Sequence, residues 1–422
     1  MFIYIIYWLI HPILFFILIF SSIFNFKIRH HLFHERASWK RALQKIHLDN
    51  NRRIVVLFHA ASKGEYEQLL PVLKLVDKNK YFILQTFFSP TIFRTEKESK
   101  LFDAVCYHPF DFIWNPYKFF KQMNIKYYIT TRNDLWPNHL FIANKMNIKT
   151  ILINANIYPR NKYINIFVKY YYNKIMTKFN LVLTGSVRLK NDFSKLVDHQ
   201  NIIVTGDSRI DRVIERKKHK KNIILPKYFI GTKTLILGSI VLSDLSIIFD
   251  GLSKYYPKGQ NSLDEKNHSL IIVPHEVSDS FIKKIESKLN HYGFTNWSYY
   301  SKGFNNKSRI IIIDIVGILA DLYAYSDLSY VGAGFSQGVH SIIEPASYSN
   351  AISYGPNYHI VDMAIELANK KLTKIIYDSN DFYNFLLLFD NNKKLNNIKY
   401  RVGNYFDTEK LASENIINAI FT

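Results

Sequence analysis

At 422 residues the chain is too long for one ordinary domain, and 48% apolar against 21% charged residues excludes long disordered tracts. A single cysteine, Cys106, excludes an internal disulfide framework and a multi-cysteine metal site. With 55 Lys+Arg against 34 Asp+Glu, the net charge of +21 points to a polyanionic partner: nucleic acid, an anionic membrane surface or phosphorylated substrates. Heavy use of Ile, Lys and Asn is also what an AT-rich genome produces, so the charge supports a reading but does not carry one.

The N-terminus narrows the partner. Met1 to Phe26 holds no Lys, Arg, Asp or Glu and is long enough to cross a hydrocarbon core as a helix, with Pro12 and His11 interrupting it. Tyr4, Tyr7 and Trp8 suit an interface. A basic start and a small-residue cleavage site, the marks of a removed signal peptide, are missing. From Lys27 to Arg53, eight Lys/Arg face only Glu35 and Asp49, which by the positive-inside rule leaves the bulk of the chain cytoplasmic. Residues 1–26 are therefore expected to anchor the chain to the inner face of a membrane, by spanning it or by lying in its interface. A membrane, not a nucleic acid, is the expected polyanionic surface.

Further on, short apolar runs alternate with helical patterns. Ile54–Phe58, Tyr81–Thr86, Tyr127–Thr131, Thr150–Asn154, Leu181–Thr184 and Asn201–Thr205 predict buried parallel strands, with amphipathic segments such as Glu65–Leu75 between them. Ile214–Lys221 is a charge run that reads as a solvated linker. The pattern restarts with Thr234–Leu237, Ser269–Val273, Arg309–Ile313, Leu328–Val331 and Ala351–Tyr354; Lys254–His268 reads as a surface loop. The predicted fold is α/β: an anchor helix (1–26), a Rossmann-like domain (27–213), a linker (214–230) and a second Rossmann-like domain (231–422), facing a cleft at the carboxyl ends of both sheets.

Four segments carry candidate chemistry. His59–Glu65 follows the first strand; Ser62 and Glu65 have capping-box spacing, and Glu65 also stands where a general base would enter the cleft beside Gly64. Arg132–Asn138 follows another strand and reads equally as a polar site or an ordinary capped loop. Arg209, in Thr205–Asp211, suits a phosphate or carboxylate, or else a surface pair with Asp211. Gly332–Gly338 is a Gly-rich loop whose backbone N–H groups suit a phosphate, and Glu344 on the next helix suits ribose hydroxyls. His275 is placed to join that pocket.

These segments, in this order from about Arg52 to His359, resemble the Kdo (3-deoxy-D-manno-octulosonic acid) transferases. The family's HAAS-x-GE opening matches His59–Glu65, its ELWPN-like segment Asp134–Asn138, and its NAR-x-x-x-R segment Asn154–Arg160. Thr205–Asp211, Asp314–Asp327 and Gly332–Pro356 match three further segments. The resemblance implies a GT-B inverting glycosyltransferase, without metal or cofactor, that moves Kdo from CMP-Kdo to a lipid A precursor in lipopolysaccharide synthesis at the inner membrane. It implies Glu65 as the base and Asp134 and Arg209 as transition-state stabilisers. Pro274, His275, Val316, Gly317, Ile318, Ser341, Ile342, Ile343 and Glu344 match the CMP-binding segments.

The chain departs from the family pattern in three places. Arg132 stands where many relatives have Glu, Val316–Ile318 lacks an acidic third residue, and Ser341 replaces a usual Asn. Two other readings stand beside this one: a different GT-B nucleotide-sugar enzyme, such as an epimerase, or a non-catalytic, membrane-tethered basic binding protein.

Overall fold

A computed structural model describes residues 2–50, 52–157, 166–198, 201–218, 223–229, 231–304, 308–408 and 411–421. Arg160 and linker positions 219–222 and 230 lie outside the described residues. Contacts divide the chain into two compact units, Met1–Arg212 with Leu411–Thr422, and Val213–Lys410.

The first unit is built on strands β1 (Ile54–Ala60), β2 (Tyr81–Phe87), β3 (Ala104–Tyr107), β4 (Ile125–Thr131), β5 (Lys149–Ala155), β6 (Leu181–Thr184) and β7 (Ile202–Val204). All pair in parallel, in the order β3-β2-β1-β4-β5-β6-β7. Alternation along each strand feeds two cores: Val55 and Leu57 pack with Trp39 and Phe119 on one face, Val56 and Phe58 with Leu69 and Leu73 on the other. Strand order reverses between β1 and β4, so the connections after these two strands lead to opposite sides of the sheet.

The basic segment after the anchor is a helix, Phe26–Leu48, begun by Asn25, whose Oδ1 accepts the Lys27 N–H at 2.9 Å. Trp39, Ala42 and Ile46, at helical spacing, are its buried stripe. Trp39 Nε1 donates to the Tyr107 carbonyl at 2.9 Å and Ser38 Oγ accepts the Tyr107 N–H at 3.0 Å, satisfying the open edge of β3.

The N-terminal helix runs Phe2–Phe24, and its Tyr7–Phe24 stretch is long and apolar enough to cross a membrane. Its first three turns are docked: Tyr4 and His11 are buried, Tyr7 Oη donates to Asp111 Oδ2 at 3.0 Å, and Trp8 Nε1 donates to Asn138 Oδ1 at 2.8 Å. Past Pro12, Ile13, Phe16, Phe20 and Phe24 are exposed. At the other end of the chain, the helix Ala412–Phe421 sends Ile416 and Ile420 into the first unit's core. The expected second domain ran through 422; these closing residues group with the first unit instead.

The second unit repeats the plan with β8 (Lys233–Ile240), β9 (His268–Pro274), β10 (Trp297–Tyr299), β11 (Ile310–Ile312), β12 (Leu328–Val331), β13 (Ala351–Tyr354) and β14 (Thr373–Ile375). The order is β10-β11-β9-β8-β12-β13-β14, all parallel, with the reversal between β8 and β12. Two expectations are corrected here. Lys254–His268 contains the helix Gln260–Glu265 with Ser262 and Leu263 buried, not a plain surface loop. The charge run is helical through Lys218, within the helix Ser208–Lys218, and Lys217 Nζ donates to the Ser347 carbonyl at 2.6 Å.

Candidate active site

In the first unit the chemistry gathers at the β1/β4 reversal. The helix Lys63–Leu75 starts directly after β1, and Ser62 and Glu65 form a reciprocal capping box: Glu65 Oε2 accepts the Ser62 N–H at 2.8 Å and Ser62 Oγ accepts the Glu65 N–H at 3.4 Å. This holds the half-buried Glu65 carboxyl over the carboxyl end of the sheet. Burial, then the charge of Asp134, push its pKa above the usual carboxylate range, against the Ser62 N–H and the nearby His59. A carboxylate made more basic while remaining ionisable is suited to taking up a proton.

Asp134 comes from the turn after β4, where Arg132 is left-handed (φ 62°) and donates its N–H to the Ile153 carbonyl at 3.0 Å. Asp134 Oδ2 lies 3.1 Å from Nε2 of the fully buried His59. Glu65 and Asp134, far apart in sequence, therefore share one site.

Arg209 reaches the same edge through β5. Asn154, left-handed at φ 49°, donates from Nδ2 to Ser208 Oγ at 2.7 Å, and Ser208 Oγ donates to the Gln68 carbonyl of the Glu65 helix at 2.7 Å. Arg212 Nε adds an ion pair with Glu67 at 2.7 Å. The expected alternative pairing of Arg209 with Asp211 does not occur. Arg209 Nε instead donates to Asp207 Oδ2 at 2.8 Å, while Asp211 accepts the N–H groups of Leu411 at 3.1 Å and Ser413 at 2.6 Å. Burial alone would raise the Asp207 carboxyl, but the charge and hydrogen bonds of Arg209, with Arg132 beyond, hold it below the usual range.

The second unit has two cavities at its own reversal. One, of about 290 Å³, is lined by Arg216, Ser239, Gly317, Tyr323, Ser341 and Glu344 among others. The other, of about 410 Å³, is lined by Leu242, His275, Glu276, Ser278, Gln337 and His340 among others. His340 borders both, and its ring stacks on His275 at 4.2 Å. Burial and the neighbouring His275 push His340 down to about 4, so a neutral imidazole divides the two spaces at neutral pH. His275 is fixed by Ser239 Oγ at 2.9 Å from Nδ1.

The nine expected nucleotide-site residues do not contribute alike. Gly317, Ser341 and Glu344 line the smaller cavity, with Ser341 Oγ donating to Glu344 Oε2 at 2.5 Å, and His275 lines the larger. Ile318, Ile342 and Ile343 are buried at 7%, 0% and 2% exposure and offer a ligand backbone only. Pro274 ends β9, and Val316 is 79% exposed. The Gly-rich loop also differs from the expected phosphate cradle. Ala333 N–H goes to buried Asp244 at 3.0 Å, and Gly332, Ser336 and Gly338 donate to backbone carbonyls, so Asp244 shapes the loop and these groups are spent. Its glycines serve close packing: a Cβ on Gly334 would stand 2.5 Å from the Gly355 nitrogen.

Arg216 and His340 were not singled out from sequence as site residues. Arg216 sits in the charge run read as solvated; Ile210, Val213, Ile214 and Lys217 at helical spacing are the signal that it continues a helix. Arg216 Nη2 lies 3.4 Å from Asp321 Oδ2 and 3.5 Å from the Gly317 carbonyl, bringing a cation to the smaller cavity.

Two Rossmann-like units, each with its polar loops at a sheet reversal, define an α/β protein of the GT-B class. Solved structures agree at the level of fold. The UDP-GlcNAc 2-epimerase from Neisseria meningitidis matches with a TM-score of 0.58 and 13% identity, over 87% of this chain and 99% of that one. A glycosyltransferase from Rickettsia africae matches at 0.56 and 14%, over 87% and 94%. The family model for 3-deoxy-D-manno-octulosonic-acid transferase matches residues 33–212. The 3-deoxy-D-manno-octulosonic acid transferase of Aquifex aeolicus is 30% identical over 319 residues, covering 74% of this chain and 79% of the relative. A bifunctional glycosyltransferase/methyltransferase of Fusobacterium nucleatum is 25% identical over 331 residues; they cover 74% of this chain and 48% of that relative, about half its length. The chain belongs to the 3-deoxy-D-manno-octulosonic acid transferase family, and is thus a glycosyltransferase.

Proposed function

We propose that the protein transfers Kdo from CMP-Kdo to a lipid A precursor such as lipid IVA, with inversion at the anomeric carbon, while anchored to the cytoplasmic face of the inner membrane. The observation that carries this reading is Glu65: a half-buried carboxyl of raised pKa, oriented by its own helix cap, at the sheet reversal of a family member. Glu65 takes the proton of the acceptor's sugar hydroxyl as that oxygen bonds to the anomeric carbon, and the bond to CMP breaks with its electron pair leaving on the phosphate. Arg209 and Asp134 stabilise charge near the reacting centre.

On the second unit, Arg216 and Glu344 suit the two ends of a nucleotide: a cation for its phosphate and a carboxylate for ribose hydroxyls. The exposed apolar surface past Pro12 suits a lipid phase, and the acceptor is itself a lipid. An epimerase shares the fold, but that likeness rests on 13% identity and carries no chemistry. The discriminating experiment is nucleotide binding. CMP is expected to bind in preference to UDP, and a preference for UDP would sink the assignment.

A further inference from the structure

Between the helix Phe26–Leu48 and the helix Pro90–Glu96, at the β3 edge of the first sheet, lies a cavity of about 540 Å³. It is larger than either cavity described in the second unit. Phe93 and Val105 of β3 give it apolar walls, and the rest of its lining is basic. His30, His34, Arg41 and Lys45 come from the first helix, where they fall within about 60° of one another around the axis. Arg94 and Lys97 come from the second helix and its C-terminal end. Glu98 is the one carboxylate among the described lining residues. None of Arg41, Lys45, Arg94 and Lys97 forms an ion pair among the described residues. Elsewhere in the same unit Arg53 has Asp49 and Asp103, Arg188 has Asp192, Arg209 has Asp207, and Arg212 has Glu67.

The field of these cations reaches into the fold. Burial, then the charges of His34, Arg94 and His31, push the His30 pKa down. The Tyr107 hydroxyl, 3.1 Å from His30 Nδ1, is raised to about 12 by burial, against the opposing pull of Arg94 and Arg41. Like charges held this close repel one another, and an anion between them would relieve that repulsion. The place of the cavity in the chain indicates what carries the anion. The helix Phe26–Leu48 begins where the apolar helix Phe2–Phe24 ends, with Asn25 between them. His30 therefore follows Phe24 by about 9 Å at the helical rise per residue. Phe24 and Phe26 are exposed, and the Phe26 ring centre lies 5.2 Å from the Arg94 guanidinium and 6.0 Å from that of Arg29. Cations next to the end of a membrane-seeking helix lie at the depth of lipid headgroups.

We propose that this cavity is a binding site for the phosphate of an anionic membrane lipid. Arg41 and Arg94 hold the phosphate from the two helices through charge-assisted hydrogen bonds, with Lys45 and Lys97 beside them. The lipid's chains lie along the exposed rings of Phe24 and Phe26. A site of this kind takes a definite number of lipid molecules, unlike the diffuse attraction of a basic surface to a membrane, and it is independent of the reaction catalysed.

The test is lipid binding to the full-length protein in a neutral detergent, read by native mass spectrometry, with phosphatidylglycerol and phosphatidylcholine as probes. Phosphatidylglycerol is expected to bind at one molecule per chain, about tenfold or more tighter than phosphatidylcholine, and to raise the melting temperature. Arg41→Gln and Arg94→Gln are each expected to weaken phosphatidylglycerol about tenfold. Lys40→Gln is the control, since Lys40 is the next cation on the same helix, exposed and outside the cavity lining. It loses the same charge and is expected to change the affinity less than about twofold. An equal loss in Lys40→Gln and Arg41→Gln overturns the proposal, because diffuse attraction would then account for the binding. Equal affinity for the two lipids overturns it too. Inorganic phosphate that displaces phosphatidylglycerol at equal concentration makes this a site for free phosphate and overturns the lipid assignment. Should Arg94→Gln lose its contact with Phe26 and fail to fold, Arg41→Gln, whose side chain is exposed, decides the matter alone.

Discussion

Replacing Glu65 separates its two jobs. The side chain accepts the Ser62 N–H at 2.8 Å as a helix cap, and it is the base in the proposed mechanism. Gln keeps an amide oxygen for the Ser62 N–H but cannot take a proton. Removing a general base costs about 10²–10⁴ in kcat, equivalent to roughly 3–5 kcal/mol of barrier. The stability change has the opposite sign. The Glu65 carboxyl is held above its unfolded value, so the native state binds more protons and stability falls as pH rises through that window. Glu65→Gln is therefore expected to melt at or slightly above the wild-type temperature at neutral pH. Glu65→Ala loses the half of the capping box made by its side chain, keeps the residue-65 N–H bond to Ser62 Oγ, and is expected to lose about 1 kcal/mol at most. Initial rates with CMP-Kdo, read with melting curves of the same preparations, check both arms. A Glu65→Gln enzyme that melts normally and turns over at the wild-type rate would refute the base assignment.

Further outcomes follow from other parts of the molecule. Arg216→Ala is expected to raise the KM for donor about tenfold with a smaller change in kcat, since a half-exposed cation contributes about one such factor. Steady-state kinetics against CMP-Kdo check it. Gly334→Ala forces a Cβ to 2.5 Å from the Gly355 nitrogen and is expected to abolish CMP binding by calorimetry, with a lowered melting temperature. Deleting residues 2–24 removes partners of Asp111 and Asn138 and uncovers Phe141 and Phe112, which pack on that helix. The truncated protein is expected to melt several degrees lower in detergent, where a passive tether would make no difference. The exposed stretch past Pro12 spans about 20 Å at the helical rise per residue, short of a hydrocarbon core of roughly 30 Å. The helix is therefore expected to enter one leaflet only, with both ends protected from reagents on the far side of sealed vesicles.

Much of the fold is legible in the residues because a parallel sheet buries both faces of its inner strands. Leu181–Thr184, Leu328–Val331 and Ala351–Tyr354 are strands with the bounds that their apolar runs predict. The three strands without such a signal, Ala104–Tyr107, Trp297–Tyr299 and Thr373–Ile375, all lie at sheet edges. There a strand is short, and its apolar pattern is incomplete because a neighbour covers one side only. The helix Phe26–Leu48 was hidden by its charges: eight cations between Lys27 and Arg53 mask the stripe Trp39, Ala42, Ile46.

The site is legible to a different degree. Glu65 and its cap follow from a local spacing of three residues, and the structure has both. Arg209 pairs with Asp207 instead of Asp211 because Asp211 is drawn to the N–H groups of a helix two hundred residues later. No local pattern contains that. Arg216 was hidden in the same way, since a cation in a charge run meets its cavity only once Gly317 and Glu344 are folded beside it.

The most direct measurement incubates the full-length protein with CMP-Kdo and lipid IVA and reads the lipid product by mass. The account predicts a product heavier by one or more Kdo units, with CMP released in equal number, and at least about a hundredfold less of it from Glu65→Gln over the same time. Transfer from a UDP-sugar in place of CMP-Kdo, or an unchanged lipid with donor consumed, would contradict it.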